Sequence, residues 1–476
     1  MPPKPPKIVV LGAGSAIFGL GALARIIQNE RLRGAELAMV DIDAESLETM
    51  HNVAEKMNEA WGAGMHITST TDRLQALPGA DFVIVSIQVG PRETVWEMDW
   101  QIPLRHGVRQ PYAENGGPGA FSHTARNLPV ILGIARDMER LCPDAWYLNL
   151  TNPLIRLSYA VHRYTKIKVL GLCHQLLWGY AMAATVLADR WAIPIPPDFH
   201  VHTDATNMPN FIPVAMAGMK HLDIKAAGIN HFSWVYDIRD RETGEDLYPL
   251  LRERWLNGFR KDFEPLTREM FQIFGMMPTA GDSHMCEYLA YAHDPVTKPW
   301  EKYHLRLQSW DGNRQRRAER RALAAAIASG ERSVDDLRDL HRFAILNEPV
   351  PEIVTALHFN ERFYSQQLNI PNNGLIPNLP DEAIVEVPGV LSGMGIQGLA
   401  FPALPEGIAE LCRRELTRSK IAVEAALHGD RDLSLQALLL DPMISDIDTA
   451  RAILDDFLTE FAEYLPQFTH DKEPIA

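Results

Sequence analysis

The stretch Lys7-Ile-Val-Val-Leu-Gly-Ala-Gly-Ser-Ala-Ile-Phe18, followed by a helical run from Gly19 to Asn29 and then Leu37-Ala-Met-Val-Asp41, decides the fold. A short apolar run, a glycine turn, a helix and a second apolar run ending on an acidic residue is the layout of a βαβ dinucleotide site. Gly12 permits the tight turn, and Gly14 lets backbone N–H groups approach a pyrophosphate at the helix N-terminus. Asp41 is placed to accept hydrogen bonds from the adenosine ribose hydroxyls, which favours NAD over NADP. Ser15 and Phe18 are counted with these cofactor-binding residues. The third glycine of G-x-G-x-x-G is missing, so the reading rests on context, against the alternative of an ordinary strand-to-helix turn.

Working outward, Ala44 to Trp61 has a helical pattern, His66-Ile-Thr-Ser-Thr70 is strand-like, and Ala80-Asp81-Phe-Val-Ile-Val-Ser-Ile87 is the continuous apolar run of a strand buried on both faces. Trp146 to Pro153 and Lys168 to His174 are further strands with polar ends. Alternating strands and helices predict an α/β, doubly wound Rossmann sheet, with ligands at the carboxyl ends of the strands. Gln88-Val-Gly-Pro-Arg92 is then a candidate wall of the site. Pro103 to Asn127 reads as a long glycine-rich loop over cofactor or substrate, ahead of a helix from Leu128 to Leu141.

The chain has 476 residues, enough for two structural units, with 46% hydrophobic and 22% charged residues as in ordinary globular proteins. A formal charge of −15, from 46 basic and 61 acidic residues, argues against nucleic acid or an anionic membrane as the main partner. The apolar run before Gly12 is far too short for a signal or membrane segment. Cys142, Cys173, Cys286 and Cys412 are widely spaced without a C-x-x-C pair, which fits a reduced, cytoplasmic protein. Arg314 to Arg321 reads as a solvated helical face.

Cys173 alone suggests a small buried hydrophobe, and His231 alone a core or surface histidine. Together, each in a polar turn of a chain that carries a nucleotide site, they are able to offer a thiolate and an imidazole to one divalent metal. Two protein ligands leave such an ion open to vicinal sugar hydroxyls.

Asn149-Leu-Thr-Asn152-Pro153, Gly171-Leu-Cys173-His174, Gly228-Ile-Asn230-His231-Phe232 and His284-Met-Cys-Glu287-Tyr288, behind the G-x-G-S-x-x-F start, resemble glycoside hydrolase family 4. So do Asn378 to Gly389 and the final Glu424 to Pro442, so that the resemblance covers nearly the whole chain in order. It implies an N-terminal Rossmann domain, residues 1–195, and a C-terminal α+β substrate- and metal-binding domain, residues 196–476, as in lactate and malate dehydrogenases. It also implies NAD and a manganese ion on Cys173 and His231. A sulfur ligand keeps iron, cobalt and nickel open as the metal, and an oxidisable one implies a need for reductant.

The implied reaction is hydrolysis of α-glycosides by transient oxidation. A hydride passes from C3 of the sugar to NAD, a base removes the acidified C2 proton with help from the metal, the leaving group departs from C1, water adds and the hydride returns. NAD-dependent family 4 enzymes are exceptions to the two-carboxylate glycosidase route. Asp282 and Tyr288 both lie in the region of the base, each with a purely hydrogen-bonding role as the alternative. His174 resembles members that act on unphosphorylated glucosides, galactosides or uronides, and is a candidate acid for the leaving oxygen. Asn152 and Asn230 are expected sugar contacts. Arg92 and Arg126 are expected to bind a sugar carboxylate or hydroxyls, or else to be structural.

Ala184 to Lys225, with His200 and His202, is longer than the family pattern. The expected partner is a small glycoside, and the resemblance implies a homo-oligomer, a dimer or tetramer. A hydroxy-acid or sugar dehydrogenase that releases NADH, and a non-catalytic binding protein, are the alternatives.

Overall fold

The structure, a computed structural model, describes residues 4–197, 199, 208–340 and 348–469. Among the described residues there are twelve strands: β1 Lys7–Leu11, β2 Glu36–Val40, β3 His66–Thr70, β4 Phe82–Val85, β5 Trp146–Asn149, β6 Lys168–Gly171, β7 Leu222–Ile229, β8 Phe232–Asp240, β9 Met277–Pro278, β10 Phe363–Pro371, β11 Ile384–Ser392 and β12 Gly395–Gly398. The first six are parallel, in the order β3-β2-β1-β4-β5-β6 of a doubly wound sheet. Central strands β1 and β4 are buried along nearly their whole length, whereas β3, with its polar His66, Thr68 and Ser69, takes the edge.

The sheet does not stop at β6. It continues antiparallel as β10-β11-β7-β8-β9, with β12 beside β11, so one sheet unites residues before and after position 195. Later helices also fold back onto the first half: Glu406–His428 lies along Gly119–Leu141 and Leu154–Tyr164, and Trp310–Ser329 packs on Ala44–Trp61. Arg314 and Arg321 on that face pair with Glu97 and Glu93.

A second apolar core gathers the buried helix Leu176–Val186, the helix Met208–His221, and Trp255, Phe263 and Phe271. Gly218 makes that helix pair possible, because a Cβ there would lie 2.8 Å from Ala184 Cβ. The long stretch from Ala184 to Lys225 thus contains a helix that seals this core; His200 and His202 lie outside the described residues. No described helix is long and apolar enough to cross a membrane.

One expectation is corrected. The helix expected from Leu128 starts nine residues earlier, at Gly119, because its polar residues face inward: Ser122, His123, Thr124, Arg126 and Asn127 are all buried. Gly119 admits the close approach to the helix Arg92–Arg105, since a Cβ there would lie 2.5 Å from the Asp99 carbonyl oxygen.

Candidate active site

The nucleotide-binding turn joins β1 to the helix Ala16–Gln28. Gly12 has φ of +88°, and a Cβ on it would run into the Ser86 carbonyl, so only glycine suits the turn. Its N–H donates to the Val40 carbonyl at 2.9 Å. Asp41 follows β2; one carboxylate oxygen accepts the Gly14 N–H at 2.8 Å and the other the Asp43 N–H at 3.0 Å. Glycine is needed at 14 as well, because a Cβ would lie 2.9 Å from that Asp41 oxygen. Ser15 lies on the turn and accepts the Gly19 N–H on its carbonyl. Phe18 is in the helix, with its side chain outside the described residues, as is the side chain of Arg92 at the start of the next helix.

Past the end of β6, Cys173 Sγ lies 3.2 Å from Nε2 of His231, which occupies the tight turn between β7 and β8. The Asn115 amide nitrogen meets His231 Nδ1 at 3.2 Å. Burial pushes the Cys173 thiol up, aided by the Glu386 and Glu348 charges, and desolvation keeps the His231 imidazole neutral, reinforced by His284 and His174. A neutral imidazole is the form that ligates metal, and a cation would offset the cost of the thiolate. Asn230 Oδ1, beside His231, is buried without a hydrogen-bond partner among the described residues. A sulfur, a neutral imidazole and an unclaimed amide oxygen fit a divalent transition-metal ion.

His284 packs against His231 in a tilted ring pair with centroids 4.4 Å apart, and its Nδ1 meets Glu287 Oε1 at 2.5 Å. Ligand atoms of His231, His284 and Glu287 lie within 4.8 Å of one another. His174, next to Cys173, is half-buried; its Nδ1 meets Glu348 Oε1 at 3.1 Å and its ring stacks on Trp178. Asn152, also half-buried, makes no hydrogen bond to the described residues through its amide.

Two expected site residues make structural contacts. Asp282 is fully buried and caps the helix Pro265–Phe274: its oxygens accept the Leu266 N–H at 3.1 Å and the Thr267 N–H at 2.6 Å. Both oxygens are engaged in that cap, the hydrogen-bonding role that is the alternative for this residue. Arg126 is buried in a fork on Asp99, with one nitrogen 2.6 Å from Oδ1, and its guanidinium covers the Phe461 ring at 4.3 Å. These are the contacts of a structural arginine, the alternative left open for it.

Tyr288 is buried against Phe232, with ring centroids 4.9 Å apart, and its hydroxyl has no hydrogen-bond partner among the described residues. Burial and the Glu287 charge push it well above the usual phenol range. Asn230 is sealed in, its nitrogen donating to Glu386 Oε2 at 2.9 Å.

Residues 7–187 match the family described as "Family 4 glycosyl hydrolase", and residues 226–444 match "Family 4 glycosyl hydrolase C-terminal domain". The alpha-galactosidase of Bacillus subtilis (strain 168) is 31% identical over 472 residues, covering 97% of this chain and 99% of that protein. The chain belongs to glycoside hydrolase family 4. The alpha-glucosidase of Erwinia rhapontici is 28% identical over 509 residues, covering 96% of this chain and 98% of that protein. Among solved structures, a 6-phospho-alpha-glucosidase from gut microorganisms in complex with NAD and Mn2+ shares the fold, with a TM-score of 0.71, 20% identity, and coverage of 98% of this chain and 100% of that one.

This family 4 chain also brings to the site residues that sequence reasoning left without a role: Asn115, His284, Glu287, Glu348 and Glu386. His284, Glu287 and Glu386 lie in quoted motifs and Asn115 in the stretch read as a loop, but their type alone does not say which atoms they meet. Glu348 carried no local signal at all, since it reaches His174 across 174 positions of sequence.

Proposed function

We propose that this family 4 glycosyl hydrolase is an NAD- and divalent-metal-dependent α-glycosidase acting on an unphosphorylated glucoside, galactoside or uronide. The observation that carries the reading is the approach of Cys173 Sγ and His231 Nε2 to 3.2 Å at the carboxyl end of the parallel sheet that holds the Gly12 turn. The division at residues 195 and 196 belongs to this reading, with the NAD turn before it and the metal and substrate residues contributed from both sides, Cys173, His174 and Asn152 before it and His231 and Tyr288 after it.

The turn and Asp41 would hold the adenosine half of NAD, and Ile42, 91% exposed beside Asp41, offers an apolar face to the adenine ring. Cys173 and His231 would hold the cation, manganese being the expected ion. When bound, NAD supplies a reversible acceptor for the C3 hydride and the cation a Lewis acid for the sugar O2 and O3.

The chain's own residues do the rest. Tyr288, as its phenolate, takes the C2 proton on its phenolic oxygen and becomes the neutral phenol; positive charge at the Cys173 and His231 pair would lower the cost of that phenolate. His174 gives a proton to the leaving oxygen, its ring oriented by Glu348 Oε1 and Trp178. Asn152 binds a sugar hydroxyl through its free amide. We place the enzyme in the reducing cytoplasm, in keeping with four free thiols, as a dimer or tetramer with a small glycoside as its partner.

The test is nitrophenol release from aryl α- and β-glycosides of glucose, galactose, glucuronic acid, galacturonic acid and 6-phospho sugars, under reductant, with and without NAD and Mn2+. Cleavage of an unphosphorylated α-glycoside that needs both additions is expected. Preference for a phosphorylated sugar, cleavage without NAD, or NADH accumulation with a free hydroxy acid would contradict the proposal.

A further inference from the structure

Cys173 and His231 follow strands that are not neighbours: β10 and β11 separate β6 from β7. One rung of the sheet crosses all of them. Gly171 pairs with Asn369, Asn369 with Glu386, Glu386 with Gly228, and Gly228 with Ser233. Cys173 is two residues beyond the first member of this rung, and His231 three beyond Gly228. Glycines occupy the two positions from which the ligand-bearing turns depart. A Cβ on Gly171 would lie 2.9 Å from Asn369 Cβ, and one on Gly228 would lie 2.8 Å from Ser233 Cα.

Glu386 stands at the centre of the rung, 3% exposed. Its Oε2 accepts from the Asn230 amide at 2.9 Å and from the Asn369 amide at 3.3 Å, and its Oε1 accepts from Ser233 Oγ at 3.0 Å. With the Gln175 amide turned to satisfy its own neighbours, its nitrogen also donates to Oε1, at 3.1 Å. The carboxylate therefore grips both ligand turns, Gln175 two residues after Cys173 and Asn230 one before His231. Only donors surround it, which favours the ionised, acceptor-only carboxylate and opposes the burial that raises its pKa. Yet no basic side chain among the described residues pairs with it. A buried carboxylate is normally matched by a cation, and Glu386 lies close enough to Cys173 to raise the thiol pKa.

We propose that Glu386 is a positioning residue for the metal centre: it sets the separation of Cys173 and His231 and supplies the buried negative charge that a divalent cation between them faces. The inference rests on the reading of that pair as the metal ligands. Such outer partners, when removed, typically cost metal sites 10–100-fold in affinity.

The test is equilibrium dialysis of the full chain against Mn2+, with NAD affinity measured in parallel, for the native protein, Glu386→Gln, Glu386→Ala and Cys173→Ser. Glu386→Gln keeps the shape and removes the charge. It is expected to lose about 10–100-fold in Mn2+ affinity, and Glu386→Ala at least as much, with NAD affinity held within about twofold. In the Co2+-loaded protein the thiolate-to-metal absorption band is expected to shift in Glu386→Gln and to vanish in Cys173→Ser. Native Mn2+ affinity in Glu386→Gln beside a weakened Cys173→Ser would overturn the role of Glu386 and leave the pair intact. Native Mn2+ affinity in Cys173→Ser would overturn the pair itself. Joint loss of NAD and Mn2+ binding in both Glu386 variants would mark a scaffold residue and overturn the proposal.

Discussion

Cys173→Ser is expected to abolish metal-dependent cleavage while leaving NAD affinity within a few fold. The serine hydroxyl stays protonated near neutral pH and is a poor ligand for a transition metal, so the cation is left with His231 as its only remaining member of the pair. Lewis-acid stabilisation of developing charge is worth several kcal/mol, which corresponds to a rate loss on the order of a thousandfold. The nucleotide turn is independent of this change, because Gly12, Gly14 and Asp41 hold one another through Val40 and the Gly14 N–H. Turnover of an aryl α-glycoside with saturating NAD and Mn2+, and NAD binding by calorimetry, check both halves. Undiminished turnover would sink the metal assignment.

Asp99→Ala is expected to destabilise the fold by about 3–5 kcal/mol, the cost of leaving one partner of a buried ion pair uncompensated. Asp99 and Arg126 are both essentially inaccessible, and the Asp99 carboxylate also meets His123 Nδ1 at 3.2 Å. Ser122 Oγ accepts from Arg126 at 2.8 Å, and Phe461 covers the guanidinium, so the pair joins two helices of the first half to the end of the chain. Replacing both members with apolar residues of similar size, Asp99→Leu with Arg126→Met, is expected to recover most of the loss. Denaturant midpoints with unchanged slopes measure the effect. An unchanged midpoint with a raised KM would instead return Arg126 to the substrate.

The two kinds of information in this sequence differ in how local they are. The Gly12 turn, Asp41 and the apolar run Phe82–Val85 are local patterns, and each produces the element it suggests, because a strand buried on both faces has few alternatives. Polarity misled where tertiary burial overrode it. Glycine-rich, polar 103–127 reads as a loop, but from Gly119 it is a helix whose polar side chains are paired inside.

Asp282 and Glu287 share one short motif and both carry a carboxylate. Only the third dimension shows that one caps the helix after Glu264 while the other binds His284. The continuation of the sheet from β6 into β10 and β11 was equally hidden. It pairs Gly171 with Asn369, nearly two hundred residues on, and no local pattern encodes a pairing at that distance. The role proposed for Glu386 rests on that pairing together with the hydrogen bonds its carboxylate accepts.

The most direct test of the redox route is hydrolysis of a cleaved α-glycoside in deuterium oxide, with mass and NMR analysis of the released sugar. Removal of the C2 proton by Tyr288 and its later replacement from solvent predicts deuterium at C2 of the product, in reactions that stop when NAD is withheld. Efficient cleavage that leaves C2 free of deuterium and proceeds without NAD would mean that the bond is broken by ordinary acid–base hydrolysis, and the account given for Cys173, His231 and Tyr288 would fall.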